Sequence, residues 1–184
     1  MSLQSMLDKT LVVMATMGKA RKVGELLAQG GRVDAREKDF TPLLAAADMG
    51  HTQVCQLLLE KGSNLEERHP ATLYTALHYA AGGGHLSLLQ LLLSQGAEVN
   101  SRSRLEFTPL HMACQAGHLA SVVTLLQAGA DPLLPQVDGA LPIHLAAWKD
   151  QSEVVKILIR QGRCSPDQVR HTALSAFSAL QSLD

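Results

Sequence analysis

The stretch that decides the fold reads Thr108-Pro109-Leu110-His111-Met112-Ala113-Cys114-Gln115-Ala116-Gly117-His118. A threonine before an apolar run is a favourable helix N-cap, because its hydroxyl accepts a hydrogen bond from a backbone N–H that lacks a partner in the first turn. Proline at the first helical position loses only a donor that the helix does not use. Gly117 can adopt the positive φ that a tight reversal requires. The stretch therefore predicts a short helix, a tight turn and the start of a second helix.

Versions of this stretch recur along the chain at a nearly constant spacing. The place of Thr108 is taken by Thr41, Thr75 and Leu141 in the other copies, so that successive copies lie 34, 33 and 33 residues apart. A Gly-His pair follows in three copies, and Asp150-Gln151 replaces it in the last. Each copy continues with a Leu-rich run and a glycine suited to the left-handed position that ends a helix. A period of this size is typical of a solenoid of stacked helix pairs.

The repeated motif resembles the ankyrin repeat. From Thr108 to Asp131 it reads Thr-Pro-Leu-His-x-Ala-Cys-x-x-Gly-His-x-x-x-Val-Val-x-Leu-Leu-x-x-Gly-Ala-Asp, and the likeness extends from about Lys9 to the C-terminus. The resemblance implies an all-α fold, an ankyrin-repeat solenoid of helix-turn-helix units with β-hairpin-like loops. We expect about five repeats plus a terminal capping helix.

The register of the repeat divides the chain into a leader and a single domain. The segment from Thr10 to Gly30 follows the template without the Thr-Pro-Leu-His signature and is more polar, which suits a repeat that caps the amino-terminal end. Near His171 we expect one more helix, either a cap or the start of a sixth repeat. We expect a leader at 1–8 that need not be ordered and one domain at 9–184, with repeats at approximately 9–36, 37–70, 71–103, 104–136 and 137–167 and a partial repeat or cap at 168–184.

Some copies depart from the motif. Only Gly139 keeps the usual glycine at the hairpin turn, where Asp39, Leu73 and Glu106 stand in the earlier copies. Residues with a side chain are strained if they adopt a positive φ there. Leu141 cannot supply the hydroxyl of a threonine N-cap, so the last clear copy should lose part of its capping.

Charge and composition exclude several classes of partner. The 184 residues include 16 basic and 17 acidic ones in mixed order, for a net charge of −1, so no strong field attracts nucleic acid or a membrane surface. The apolar run from Leu86 to Leu93 is too short to cross a bilayer. Cys55, Cys114 and Cys164 form no Cys-x-x-Cys pair, which favours buried thiols in a reducing compartment, the cytoplasm or the nucleus. We expect no nucleic-acid partner, no membrane insertion and a monomer.

The eight histidines raise the question of a metal or catalytic site. Six of them recur at repeat positions, and the resemblance implies that these hydrogen-bond to backbone and threonine groups and so link adjacent repeats. Steps of one repeat are not a metal-ligand spacing, and the chain lacks the phosphate-binding, dinucleotide-binding, zinc-protease and nucleophile-elbow motifs. We therefore expect no catalytic residue, no metal site, no cofactor and no enzymatic activity. The six histidines are His51, His78, His85, His111, His118 and His144.

The resemblance also implies a partner site, in the concave groove formed by the hairpin tips and the first helices. The variable positions are the residue before each Thr-Pro-Leu element and the two residues before each Gly-His turn. Four of the six aromatic residues map to these positions, and aromatic side chains dominate interface hot spots. Those before Thr-Pro-Leu could equally pack the hairpin stem. Two hairpin arginines are added because a guanidinium suits a partner carboxylate, although solvated loop charge explains them as well. The candidates are Phe40, Asp48, Met49, Tyr74, Arg102, Arg104, Phe107, Gln115, Trp148 and Lys149.

These observations favour a non-catalytic protein–protein interaction module, an adaptor or regulator that binds a peptide or protein segment in the groove. An inhibitor or recruiter of one enzyme, such as a kinase or a ligase complex, is a variant of the same hypothesis. The alternative from a different class is the recognition domain of a larger multidomain enzyme, channel or ubiquitin-ligase adaptor whose other domains lie outside this chain.

Overall fold

The computed structural model describes residues 2–161 and Cys164. This part of the chain contains ten α-helices and no strand; two residues of the first hairpin, Glu37 and Phe40, form an isolated bridge. The predicted all-α solenoid of helix-turn-helix units is confirmed. The helices are α1 Leu3–Thr16, α2 Ala20–Ala28, α3 Pro42–Asp48, α4 Thr52–Glu60, α5 Ala76–Gly82, α6 Leu86–Ser94, α7 Pro109–Ala116, α8 Leu119–Gln127, α9 Pro142–Trp148 and α10 Ser152–Arg160.

The helices form five consecutive pairs that stack in two layers. The odd-numbered helices pack against one another in chain order, and the even-numbered helices form the second layer in the same way. Each odd-numbered helix also packs against its own partner. Paired alanines such as Ala46-Ala47 and Ala80-Ala81 are fully buried, which lets neighbouring layers approach closely. The stack is therefore stabilised by contacts between adjacent repeats. Across the described residues, every helix is too short or too polar to span a lipid bilayer.

The four marker residues stand directly before the odd-numbered helices α3, α5, α7 and α9, as predicted. The hydroxyl of Thr41 accepts a hydrogen bond from the N–H of Leu44 at 3.3 Å, and Thr108 caps α7 in the same way. Leu141 occupies this place before α9 without a hydroxyl; its own backbone N–H still donates to Nδ1 of His144 at 3.0 Å. The last copy thus keeps the bond from the backbone to the histidine and loses the bond to a threonine hydroxyl.

Several turn residues with side chains adopt the left-handed backbone that glycine takes elsewhere. Leu73 has a φ of 60° and Glu106 a φ of 62°, against 83° for the equivalent Gly139. Asp150, which replaces the turn glycine of the other copies, has a φ of 58°. The backbone strain expected at the hairpin turns is therefore present, since L-residues avoid positive φ values.

The amino-terminal end differs from our expectation. We expected residues 1–8 to form a leader, but α1 begins at Leu3, and Ser2 caps it by accepting the N–H of Ser5 at 3.2 Å. The added turn is anchored by the buried Asp8, which accepts the backbone N–H of Arg32 at 2.9 Å and its Nε at 2.8 Å. The partial repeat or cap predicted at 168–184 lies outside the described residues.

Candidate functional site

The turn histidines connect each repeat to the one before it. Their Nε2 atoms lie within hydrogen-bond distance of backbone carbonyl oxygens in the preceding repeat. A carbonyl only accepts, so each Nε2 must carry the proton. The predicted linking role is confirmed for these residues. The pairs are His51 with Thr16 at 3.0 Å, His85 with Asp48 at 3.2 Å and His118 with Gly82 at 3.1 Å.

The helix-start histidines point the other way, towards the next repeat. Nδ1 of His111 accepts the backbone N–H of Thr108 at 3.1 Å, so Nε2 carries the proton and donates to the carbonyl of Ala140 at 3.2 Å. His78 bonds in the same manner to Thr75 and to the following repeat. Burial lowers the pKa of both imidazoles to about 4, so both are neutral at physiological pH. Among the residues that the structure describes, no group of three or more His, Cys, Asp or Glu side chains is placed to hold a metal ion.

The hairpins and the odd-numbered helices together form one surface, which we call the inner face. Its middle contains a cavity of about 540 Å³, the central cavity, to which four successive repeats contribute. Such a volume lies in the range of ordinary ligand pockets. Its lining comprises the large side chains of Tyr74, Tyr79 and Met112, the polar ones of Asp48, Gln115 and Lys149, and the small residues Gly82, Gly83 and Ala116.

A second cavity of about 320 Å³, the amino-terminal cavity, adjoins the first. It lies between α1 and the first hairpin, and its lining includes Val13, Thr16 and Phe40. Asp48 lines both cavities. The two cavities therefore meet at Asp48, and we call them together the groove of the inner face.

The structure brings half of the predicted partner-binding residues into this groove. Asp48, Tyr74, Gln115 and Lys149 line the central cavity, and Phe40 lines the amino-terminal one. Two further candidates, Met49 and Trp148, are 49% and 63% exposed and directly follow or precede lining residues in the chain. The ammonium of Lys149 lies 5.0 Å from the centre of the Trp148 ring, a cation–π contact.

The aromatic residues before the marker positions also pack on the scaffold. Phe40 meets His69 edge-on, with ring centroids 4.8 Å apart, and Tyr74 stacks on the imidazole of His78 at 5.2 Å. Phe107 is half-buried against His111 at 5.6 Å and lines neither cavity. These contacts give all three aromatic residues a structural role, and they leave part of Phe40 and Tyr74 facing the groove.

The guanidinium groups of Arg102 and Arg104 contact other hairpins. Arg104 donates from Nε to the carbonyl of Ala71 at 2.7 Å and from Nη2 to that of Pro70 at 2.9 Å. Arg102 forms an ion pair with Glu106 and donates to a carbonyl of the following hairpin. A partner carboxylate would therefore have to compete with contacts inside the chain.

Sequence reasoning missed two large side chains in the central cavity, Tyr79 and Met112. Both occupy the variable position after the histidine of Thr-Pro-Leu-His-x-Ala. The first helix turns this position towards the inner face, where the other copies have Ala45 and Leu145. The variation in size at this one position, from alanine to tyrosine, is the signal that could have identified it.

Comparison with known families agrees with the repeat register. A family model described as "Ankyrin repeats (3 copies)" matches residues 68–135 and 103–170, and one described as "Ankyrin repeat" matches residues 38–70. A comparison with curated proteins gave no significant match. The matches to the three-copy model alone cover more than half of the chain. The chain therefore belongs to the ankyrin repeat family.

Proposed function

We propose that the chain is a non-catalytic adaptor or regulator that binds a peptide or protein segment along the groove of its inner face. Ankyrin repeats are in general protein–protein interaction modules. The observation that carries the proposal is the groove of two adjoining cavities, whose lining comes largely from positions that the repeat leaves variable. Scaffold positions would keep their residues in any ankyrin stack, whereas variable positions facing a cavity can be adapted to one partner.

The side chains in the groove suit protein recognition. Tyr74, Tyr79 and Met112 offer apolar area beside the polar groups of Gln115 and Lys149. Tyrosine and methionine are enriched in the cores of protein interfaces. Because the rings of Tyr74 and Tyr79 meet edge-on, with centroids 5.7 Å apart, the two side chains hold each other in place. Binding to such a preorganised surface costs little side-chain entropy.

Balanced charge supports a protein as the partner, and unpaired buried cysteines support a reducing compartment. A net charge of −1 favours a protein partner over nucleic acid. Cys55, Cys114 and Cys164 are unpaired and buried, which fits a reducing compartment such as the cytoplasm or the nucleus. The same groove would serve equally well in the recognition domain of a larger enzyme, channel or ubiquitin-ligase adaptor, so this alternative remains in place.

Peptide selection tests the proposal. Peptides enriched on the purified chain from a displayed random library are synthesised, and their affinities are measured by fluorescence anisotropy for the wild type, Tyr79→Ala and Trp148→Ala. We expect each variant to lose on the order of tenfold in affinity, the effect of removing an interface hot spot.

Gln90→Ala is the matched control, because Gln90 is exposed on α6 in the other layer. It should bind as the wild type does, and melting curves should show that Trp148→Ala remains folded. If the groove variants bind every selected peptide like the wild type, the groove is not the site and the proposal fails.

A further inference from the structure

The inner face changes its chemistry from repeat to repeat at the position just before each turn. Its five occupants, in order, are Met17, Met49, Gly83, Ala116 and Lys149. The two methionines are 55% and 49% exposed, although methionine is usually buried. The face therefore begins with adaptable apolar side chains, has little side-chain volume in the middle and ends with a cation.

The middle of the face has glycines at positions 82 and 83, and neighbouring side chains pack closely against both. A Cβ on Gly83 would lie 2.4 Å from Nε2 of His85, an impossible contact, and His85 is held there by its bond to the carbonyl of Asp48. A Cβ on Gly82 would lie 3.1 Å from Cε of Met112. A side chain at position 83 is therefore excluded, and one at position 82 would require Met112 to move. The central cavity, which both glycines line together with Tyr79 and Met112, has room for a large apolar side chain of a partner.

The central cavity is lined by two charged groups, Asp48 and Lys149, from the second and the fifth repeat. Both residues are exposed. Within residues 2–161 and Cys164, neither forms an ion pair, and the ammonium group of Lys149 lies over the ring of Trp148. By contrast, Lys9 at the edge of the amino-terminal cavity is paired with Glu37 at 3.5 Å. The central cavity therefore presents one anion and one cation for a partner to meet.

We propose, building on the function proposed above, that the partner is a peptide segment with a large apolar residue flanked on one side by a basic residue and on the other by an acidic one. The apolar residue enters the space beside Tyr79 and Met112. The basic residue meets Asp48, and the acidic residue meets Lys149. A second apolar residue beyond the basic one contacts Val13 and Phe40 in the amino-terminal cavity, because Asp48 lines both cavities.

Charge reversal tests this inference with the same displayed random library. Selections are run on the wild type, Asp48→Lys and Lys149→Glu, and the enriched sequences are compared. We expect the wild type to enrich peptides with the order basic, apolar, acidic. Asp48→Lys should replace the basic residue by an acidic one, and Lys149→Glu should replace the acidic residue by a basic one.

Synthetic peptides then measure the effect. The wild-type peptide should bind Asp48→Lys on the order of tenfold more weakly, and a peptide with its basic residue changed to glutamate should recover the loss on that variant alone. Glu60→Lys and Lys61→Glu are matched controls, because they make the same charge changes at exposed positions at the end of α4. Both controls should select the same peptides as the wild type.

The outcomes separate the two proposals. If selected peptides lose affinity for Tyr79→Ala but carry the same charges in all selections, the groove binds peptides and the inferred charge pattern is wrong. If no selected peptide depends on Tyr79 or Trp148, the groove itself is not the site and both proposals fail.

Discussion

Nε2 of His78 lies 2.9 Å from the carbonyl oxygen of Phe107, so the first helix of one repeat donates a hydrogen bond to the residue before the N-cap of the next repeat's first helix. His111 makes the equivalent bond one repeat later. A second proton on either imidazole is disfavoured, since both residues are completely buried and the charge would lack solvent. The consequence is a dependence of stability on pH.

Burial lowers the pKa of His78 and of His111 from 6.5 to about 4. Above pH 6.5 both the folded and the unfolded chain hold these imidazoles neutral, and their full contribution to stability is present. As the pH falls from 6.5 towards 4, the unfolded chain binds protons that the folded chain cannot, so the free energy of unfolding decreases, by up to about 3 kcal/mol per histidine. Urea unfolding at a series of pH values measures this slope.

His111→Leu provides the control for that slope. Leucine occurs naturally at this position in the second repeat, where Leu44 is fully buried. The variant should lose less stability than the wild type over the same pH interval, whatever its stability at neutral pH. An unchanged slope would contradict the assignment of the pH dependence to this histidine.

Alanine substitutions at two glycines of the third repeat should lower stability to different extents. Gly96 has a φ of 88° with no atom within 4 Å of an added Cβ, so Gly96→Ala should cost only backbone strain, about 1 kcal/mol. Gly84 has a φ of 68°, and an added Cβ would lie 2.7 Å from the ring of His118. Gly84→Ala should therefore cost at least about twice as much, because it adds a collision with the linking histidine. The denaturant midpoints of the two variants measure both losses. Equal losses would contradict the expected collision with His118.

Removing the Arg104 side chain should loosen the second hairpin, residues 69–74. Its guanidinium group donates to the carbonyls of Pro70 and Ala71, and its backbone N–H donates to that of Thr72 at 2.8 Å. Arg104→Ala should speed amide hydrogen exchange at Leu73, whose N–H bonds within this hairpin, and cost about 1 kcal/mol. Arg21→Ala on α2, which removes only an exposed ion pair, should leave exchange in the hairpin unchanged.

The three buried cysteines should react slowly in the folded protein and rapidly after unfolding. Burial raises the pKa of Cys55 to about 12 and that of Cys164 to about 11, and it raises the pKa of Cys114 as well. Since the thiolate is the reactive form, alkylation of the native protein near neutral pH should be slow at all three positions. Unfolding in urea should expose them to rapid labelling, which mass spectrometry of the peptides follows. Fast labelling of Cys55 or Cys114 in the folded state would show that the stack opens locally.

Much of the scaffold could be predicted because each repeat encodes its own local structure. Thr108, Pro109 and Gly117 act through their neighbours in the chain, as a cap, a first helical residue and a turn. The anchoring of α1 could not be predicted in this way. The carboxylate of Asp8 binds Arg32 in the loop after α2, and this contact follows no motif.

The residues of the candidate site could also be predicted only in part. Phe40, Asp48, Tyr74, Gln115 and Lys149 were found from their positions in the repeat, because a variable position faces the same way in every copy. The sequence pattern could not distinguish Arg104, whose guanidinium binds the neighbouring hairpin, from an arginine that is free to meet a partner.

By itself, the sequence determined the repeat register, the family and the starts of the helices that follow the marker residues, and the family resemblance implied the linking histidines. All of these rest on a pattern that recurs from copy to copy. Only the tertiary structure decided that Asp48 and Lys149 line the same cavity, with Tyr79 and Met112 in its lining as well. The physical reason is that the space between repeats depends on how side chains from different layers pack. That packing is a property of the assembled stack, and no single repeat encodes it.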